Sequence, residues 1–180
     1  MQMTTPEFHR CIAQMQQGDR DGLKRVYEEY SQLVYAAVRP LLPTPEDAED
    51  VTVDFFIRLW EKADGWRPGT GHRRYITTAA CRLAIDRRRK CGREYPAENM
   101  SAWEGADGGA ATEDLVCDRM ALREALAVLS ADERTILHLH LTCDLPFREV
   151  GRLLHQPLGT VAWRYRNAIQ KLRERSDLYE

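Results

Sequence analysis

The chain has 180 residues, 43% of them hydrophobic and 30% charged, and a formal net charge of −2. That length holds one or two small domains with modest cores. No apolar run approaches membrane-spanning length. Five cysteines without a Cys-x-x-Cys pair, and no secretory leader, lead to the expectation of reduced cytoplasmic thiols, with neither a disulfide frame nor a zinc site.

The first predicted element, residues 6–17, is a short amphipathic helix with Phe8, Ile12 and Met15 on one side. Gly18-Asp19 ends it, and a longer helix runs to about Leu42 with a broad apolar stripe from Leu23 to Leu41. Pro40 bends or ends that helix, and Pro43-Thr44-Pro45 is a clear stop. Both helices read as core.

Thr44 caps the next helix, Pro45 suits its first turn, and Glu46, Asp47, Glu49 and Asp50 favour its positive N-terminal end. Ala48, Val51, Phe55 and Leu59 form the inward stripe. Phe56 and Trp60 fall on an adjoining strip beside Val53, flanked by acids. Such a second apolar strip suggests a protein-docking face; burial between several neighbouring helices explains it as well.

A loop at 64–71 leads to HRRYITTAACRLAIDRRRK, with Ile76, Ala79, Ala80 and Leu83 inward and basic residues outward. Charge is strongly segregated here. Residues 72–93 carry eight cationic side chains against the single acid Asp86, whereas residues 94–118 carry seven acids and no Lys or Arg. A basic helix with Tyr75 at its head suits unpaired nucleic acid, because cations neutralise phosphate and a ring stacks on a base. A solvated Arg-rich face with Tyr75 in the core is the alternative.

Glu94 to Thr112 lacks helical periodicity and reads as a flexible acidic linker marking a domain boundary. Helicity resumes near Glu113, with Leu115, Leu122, Leu126 and Leu129 in line. Ser130-Ala131-Asp132-Glu133 is a capping box, and Ile136, Leu137, Leu139 and Leu141 carry the apolar stripe onward.

Asp144 to Leu172 reads as two helices joined by a tight turn. Phe147, Val150, Leu153 and Leu154 mark the first, with Pro146 at its first position, and His155-Gln156-Pro157 breaks it. Val161, Tyr165, Ala168 and Leu172 line the inner face of the second, while Trp163, Arg166, Asn167 and Gln170 project outward. Arg and Asn suit base edges and phosphates, a major groove admits one helix, and Gly151 permits the close crossing of a helix-turn-helix. An ordinary hairpin with a basic solvated side has the same periodicity. No strand pattern competes, so the expected fold is all-α: two small helical domains at 1–93 and 115–180, joined by a flexible acidic linker at 94–114, the second with a helix-turn-helix.

These segments together resemble the extracytoplasmic-function (ECF) group of bacterial sigma factors, of the sigma-70 family. PEDAEDVTVDFFIRLW is similar to the family's D-A-E-D-x-x-Q-E-x-F-x-R-L-W helix, and RRYITTAACRLAIDRRRK to its promoter-melting helix. LSADERTILHLHLTCDLPFREVGRLLHQPLGTVAWRYRNAIQKLRE resembles its C-terminal domain, including G-T-V-x-x-R from Gly159 to Arg164. Order and spacing hold from about Gly18 to Glu174.

The resemblance implies that Asp47, Asp50, Asp54, Phe56 and Trp60 dock on the β′ clamp of core RNA polymerase, and that the β flap is a second contact. It implies that Arg73, Arg74, Tyr75, Ala80, Cys81, Arg82, Arg87, Arg88 and Lys90 meet the nearer promoter element as it opens, with a base extruded near Ala80 to Arg82. It implies that Gly159, Thr160, Ala162, Trp163, Arg164, Arg166, Asn167 and Lys171 meet the further element as duplex promoter DNA. An anti-sigma factor is the implied regulatory partner, and the acidic linker is expected to thread the polymerase's RNA channel.

Four departures bear on these roles. Val53 stands where the family usually has Gln, Tyr75 where Trp is common, Arg82 where Asn is usual, and Ala162-Trp163 where a basic residue and Ser are frequent. The abutting basic and acidic blocks also lead to the expectation that the linker partly masks the melting helix. A helix-turn-helix regulator that does not engage polymerase is the alternative function. No glycine-rich phosphate loop, paired catalytic carboxylates or nucleophile–base set is present, so the expectation is a non-enzyme without cofactor, metal or membrane insertion.

Overall fold

The computed structural model describes residues 3–66, 71–90 and 124–176. Among them the secondary structure is helical, without strands: α1 (Thr5–Gln16), α2 (Arg20–Val38), α3 (Pro45–Glu61), α4 (His72–Lys90), α5 (Ala131–Leu137), α6 (Phe147–Leu154) and α7 (Leu158–Ser176). The linker segment 94–114, with the helical start expected near Glu113, lies outside the described residues.

Local chemistry sets most helix ends. Thr4 and Glu7 form a reciprocal capping box at α1, which the sequence reading overlooked, and Thr44 accepts the Asp47 amide at α3. Gly18 closes α1 at φ 78°, a left-handed conformation that favours glycine. The long second helix ends earlier than expected, at Val38, and a single 3₁₀ turn at Arg39–Leu41 places Leu41 and Leu42 in the core.

Helices α1 to α4 enclose Phe8, Ile12, Val26, Val34, Phe55, Ile76 and Ala84, all buried. At the head of α4, His72 is buried on Phe8 with its ring nitrogens 3.1 Å from Thr5 Oγ1 and 2.6 Å from Tyr30 Oη. Burial lowers the pKa of His72, so the neutral imidazole is favoured there.

The C-terminal unit has only a small core of its own. Leu126, Leu129, Leu137 and Ala168 form a small cluster, but Ile136, Leu139, Cys143, Leu145, Val150, Leu153 and Val161 are continuous with the N-terminal core. So few residues bury too little apolar surface alone, and the surplus is buried against α2 and α4. Between α5 and α6 the chain makes a π-helical turn, His138–Thr142, in which the Cys143 amide donates to His138 O. Its extra residue shifts the helical phase. Leu141, expected on the inward stripe, is therefore 60% exposed.

Candidate nucleic-acid and protein-docking faces

The outer face of α3 follows from its wide apolar composition. Ala48, Val51, Phe55 and Leu59 are buried as the period predicts. Phe56, expected on the outward strip, is buried too, its ring 4.9 Å from that of Tyr27 on α2. Trp60 is half-buried. The exposed strip is instead Val53 and Ile57, each 49% exposed, bordered by Asp50 and Asp54. Asp47 and Asp50 both reach Arg87 of α4, at 3.6 and 3.2 Å, so part of the acidic face is neutralised within the chain.

Helix α4 presents its cations unevenly. Arg73, Arg82 and Lys90 are exposed, and Arg74, Arg87 and Arg88 are half-buried. Tyr75 packs edge-on against Trp66 at 4.5 Å between ring centres, and burial raises its phenol pKa. Ala80 and Cys81 are fully buried. Helices α2 and α3 pack on one side of α4, and the C-terminal unit covers part of the other. Arg82 pairs with Glu149 at 3.1 Å, Arg89 donates to Leu153 O at 2.7 Å, and Thr77 Oγ1 donates to Cys143 O at 3.3 Å. The acidic segment expected to mask this helix lies outside the described residues.

The turn between α6 and α7 is built as the sequence suggests, except that Pro146 is the cap of α6 and Phe147 its first residue. His155 ends α6 at φ 52°. A Cβ at Gly151 would lie 2.8 Å from Gln156 O, so glycine there lets the turn between the two helices fold back this closely on α6.

Helix α7 divides the eight residues expected to meet duplex DNA. Arg164 pairs with Asp132, and Asn167 and Lys171 donate to the carboxylate of Glu133 at 2.6 and 2.9 Å, tying α7 to the first turn of α5. Thr160 and Ala162 are half-buried. Gly159, Trp163 and Arg166 are exposed at i, i+4 and i+7, one continuous stripe, with Trp163 60% exposed.

Glu133 is the anchor behind that stripe. Burial alone would raise its pKa, but Lys171, the Ser130 amide and Asn167 together pull it down to about 2. A lowered carboxylate pKa means that this tie is fully stabilising above the ordinary value of 4.5 and is lost as pH falls toward 2. Sequence reasoning identified Glu133 as a cap partner; its clasp on Asn167 and Lys171 joins residues more than thirty apart and has no local signal.

Among the described residues no group of His, Cys, Asp and Glu is arranged to hold a metal ion, and no helix is long and apolar enough to cross a membrane.

Residues 26–94 match the family model described as Sigma-70 region 2, and residues 125–174 the one described as Sigma-70, region 4. The chain is 25% identical over 176 residues to the ECF RNA polymerase sigma factor SigW of Bacillus subtilis, covering 91% of this chain and 93% of SigW. It is 26% identical over 180 residues to the ECF RNA polymerase sigma factor SigK of Mycolicibacterium vanbaalenii, covering 96% and 90%. Its fold is similar to CnrH, solved in complex with the cytosolic domain of CnrY, at TM-score 0.57 and 16% identity over 97% of this chain and 99% of that one. It is also similar to the Bartonella quintana sigma factor RpoE, solved with the anti-sigma factor NepR, at TM-score 0.55 and 20% identity over 86% and 96%.

Proposed function

We propose, for a chain that belongs to the sigma-70 family and to its ECF group, a division of labour among three helices. As a sigma factor it binds core RNA polymerase and directs promoter recognition, DNA melting and initiation, and it has no chemistry of its own.

Helix α3 docks on the β′ clamp. Asp47, Asp50 and Asp54 supply the charge, Val53, Ile57 and Trp60 the apolar contact, and Phe56 supports the helix from beneath. Val53, in place of the usual Gln, trades a polar contact for burial.

Helix α4 meets the nearer promoter element as it opens. Arg73, Arg74, Arg82, Arg87, Arg88 and Lys90 neutralise phosphate, Tyr75 stacks, and the extruded base sits near Ala80 and Cys81. Helix α7 reads the further element as duplex through Gly159, Trp163 and Arg166. Thr160, Ala162, Arg164, Asn167 and Lys171 serve at its margin. The C-terminal unit also meets the β flap, and the acidic segment enters the RNA channel.

The factor works in the cytoplasm and is held in reserve by an anti-sigma partner. Supporting that partner, both structural neighbours were solved with a bound protein.

The observation that carries this reading is that both family regions occur in order on one chain, and fall on the acidic-apolar face, the basic helix and the open stripe. A regulator that does not engage polymerase has no need of the first of these. Run-off transcription with purified core polymerase and fragmented DNA from the source organism tests it. Discrete new transcripts that depend on this protein are expected; clean DNA binding without transcripts would overturn the reading.

A further inference from the structure

Where α4 meets the C-terminal unit, three reactive groups converge. Cys81 Sγ lies 3.5 Å from Cys143 Sγ, and Cys143 Sγ lies 3.6 Å from His138 Nε2, which donates to Ala37 O at 2.7 Å. The cysteines are 62 residues apart, one on the proposed melting helix and one after the π-helical turn. We propose that Cys81 and Cys143 are a peroxide-reactive dithiol whose oxidation to a disulfide staples the C-terminal unit over α4 and silences the factor. The inference rests on α4 being the promoter-melting helix.

The geometry supplies what the chemistry requires. Disulfide bonds are about 2.05 Å long, so side-chain rotations closing about 1.5 Å join the two sulfurs. Both thiols are buried, and the Cys143 residue borders a cleft of about 400 Å³ together with Thr5, His72, Arg73 and Asp144, so a local opening of the cleft wall is all that a small oxidant needs to reach the pair. The thiolate is the nucleophile, and the two cysteines are biased apart. Hydrogen bonding from Cys81 lowers the pKa of Cys143 against the opposing effect of burial, and His138 lowers it further. Donation to Cys143, together with burial, raises that of Cys81. Cys143 is thus the attacking sulfur and Cys81 the resolving one.

The reaction balances with one hydroperoxide. The Cys143 thiolate attacks the peroxide oxygen and the O–O bond breaks. The leaving oxygen takes up the proton that Cys143 gave up, departing as water or an alcohol, and Cys143 becomes a sulfenic acid. Cys81 then attacks that sulfur, the S–O bond breaks, and the hydroxide leaves with the Cys81 proton as water. Two thiols are oxidised and one peroxide is reduced. The new bond fixes Cys81 to the C-terminal unit, so α4 is not freed to receive a base.

The test treats the full-length reduced protein with hydrogen peroxide, blocks remaining thiols with iodoacetamide, and maps peptides without reduction. A Cys81–Cys143 cross-linked peptide is expected, lost on adding dithiothreitol. Run-off transcription should fall at least about tenfold with oxidation and return with the reductant. Cys143→Ser, or Cys143→Ala where serine is not tolerated, should transcribe when reduced and resist peroxide. Over-oxidation of Cys143 with Cys81 left free, or cross-links among the other three cysteines alone, would overturn the dithiol. A cross-linked protein that transcribes normally would overturn the silencing. If the reduced protein yields no transcripts, the sigma-factor reading fails, and the peptide map still decides the dithiol.

Discussion

Helices α4 and α7 are both basic and both assigned to DNA, but they stand in opposite states. Charged groups of α4 are engaged on two sides, Arg87 by Asp47 and Asp50, Arg82 by Glu149 and Arg89 by Leu153 O, while Ala80 and Cys81 are covered. In α7 the internal pairs hold one edge to α5 and leave Gly159, Trp163 and Arg166 open. Pairing therefore has two different effects. On α7 it orients a reading face built within one unit. On α4 it closes the face proposed to meet the opening promoter. In this arrangement the proposed duplex-reading stripe is available and the proposed melting face is not.

The largest expected effect tests whether the acids that engage α4 have another partner. Asp50→Arg with Asp54→Arg should weaken binding to core polymerase by about 2–4 kcal/mol, measured by fluorescence anisotropy on the full chain, if α3 is a docking hot spot. Unchanged affinity would remove α3 from that role, leaving its acids as partners of α4 alone.

A smaller effect separates the open and tied edges of α7. Arg166→Ala should cost about 1–3 kcal/mol on the cognate upstream element and much less on unrelated duplex, measured by titration at fixed salt. Lys171→Ala should affect DNA binding less than it lowers thermal stability, because Glu133 already holds the ammonium at 2.9 Å. Equal losses on every sequence for Arg166→Ala would make it a phosphate contact and blur the distinction between the edges.

The smallest effect concerns the lock on α4. Arg82 is 55% exposed, so its pair with Glu149 is worth about 0.2–1 kcal/mol. Glu149→Gln should raise amide exchange in the middle of α4 by a corresponding few-fold. No change would show that apolar packing and the hydrogen bonds of Arg89 and Thr77 hold the C-terminal unit in place without this pair.

Much of this was legible in sequence because it is local. Caps at Thr44 and Ser130, the glycine crossing at Gly151 and the left-handed stop at Gly18 each follow from a few neighbouring residues. The burial of Phe56 stayed open in the sequence because α3 carries more apolar residues than one neighbour can bury. Periodicity does not reveal that Tyr27 of another helix covers the second strip. Leu141 was misplaced because a π-helical turn has no hydrophobic period of its own.

The sequence by itself determined the helices, their charged and apolar faces, and the order of segments that identifies the family. Those follow from a period of about 3.6 residues and from caps within one turn. Only the tertiary structure decided that the C-terminal unit lies on α4, that Asp50 meets Arg87, and that Cys81 lies 3.5 Å from Cys143. Periodicity orients each face, but which faces meet depends on the burial summed over elements distant in the chain, and no local pattern contains that sum.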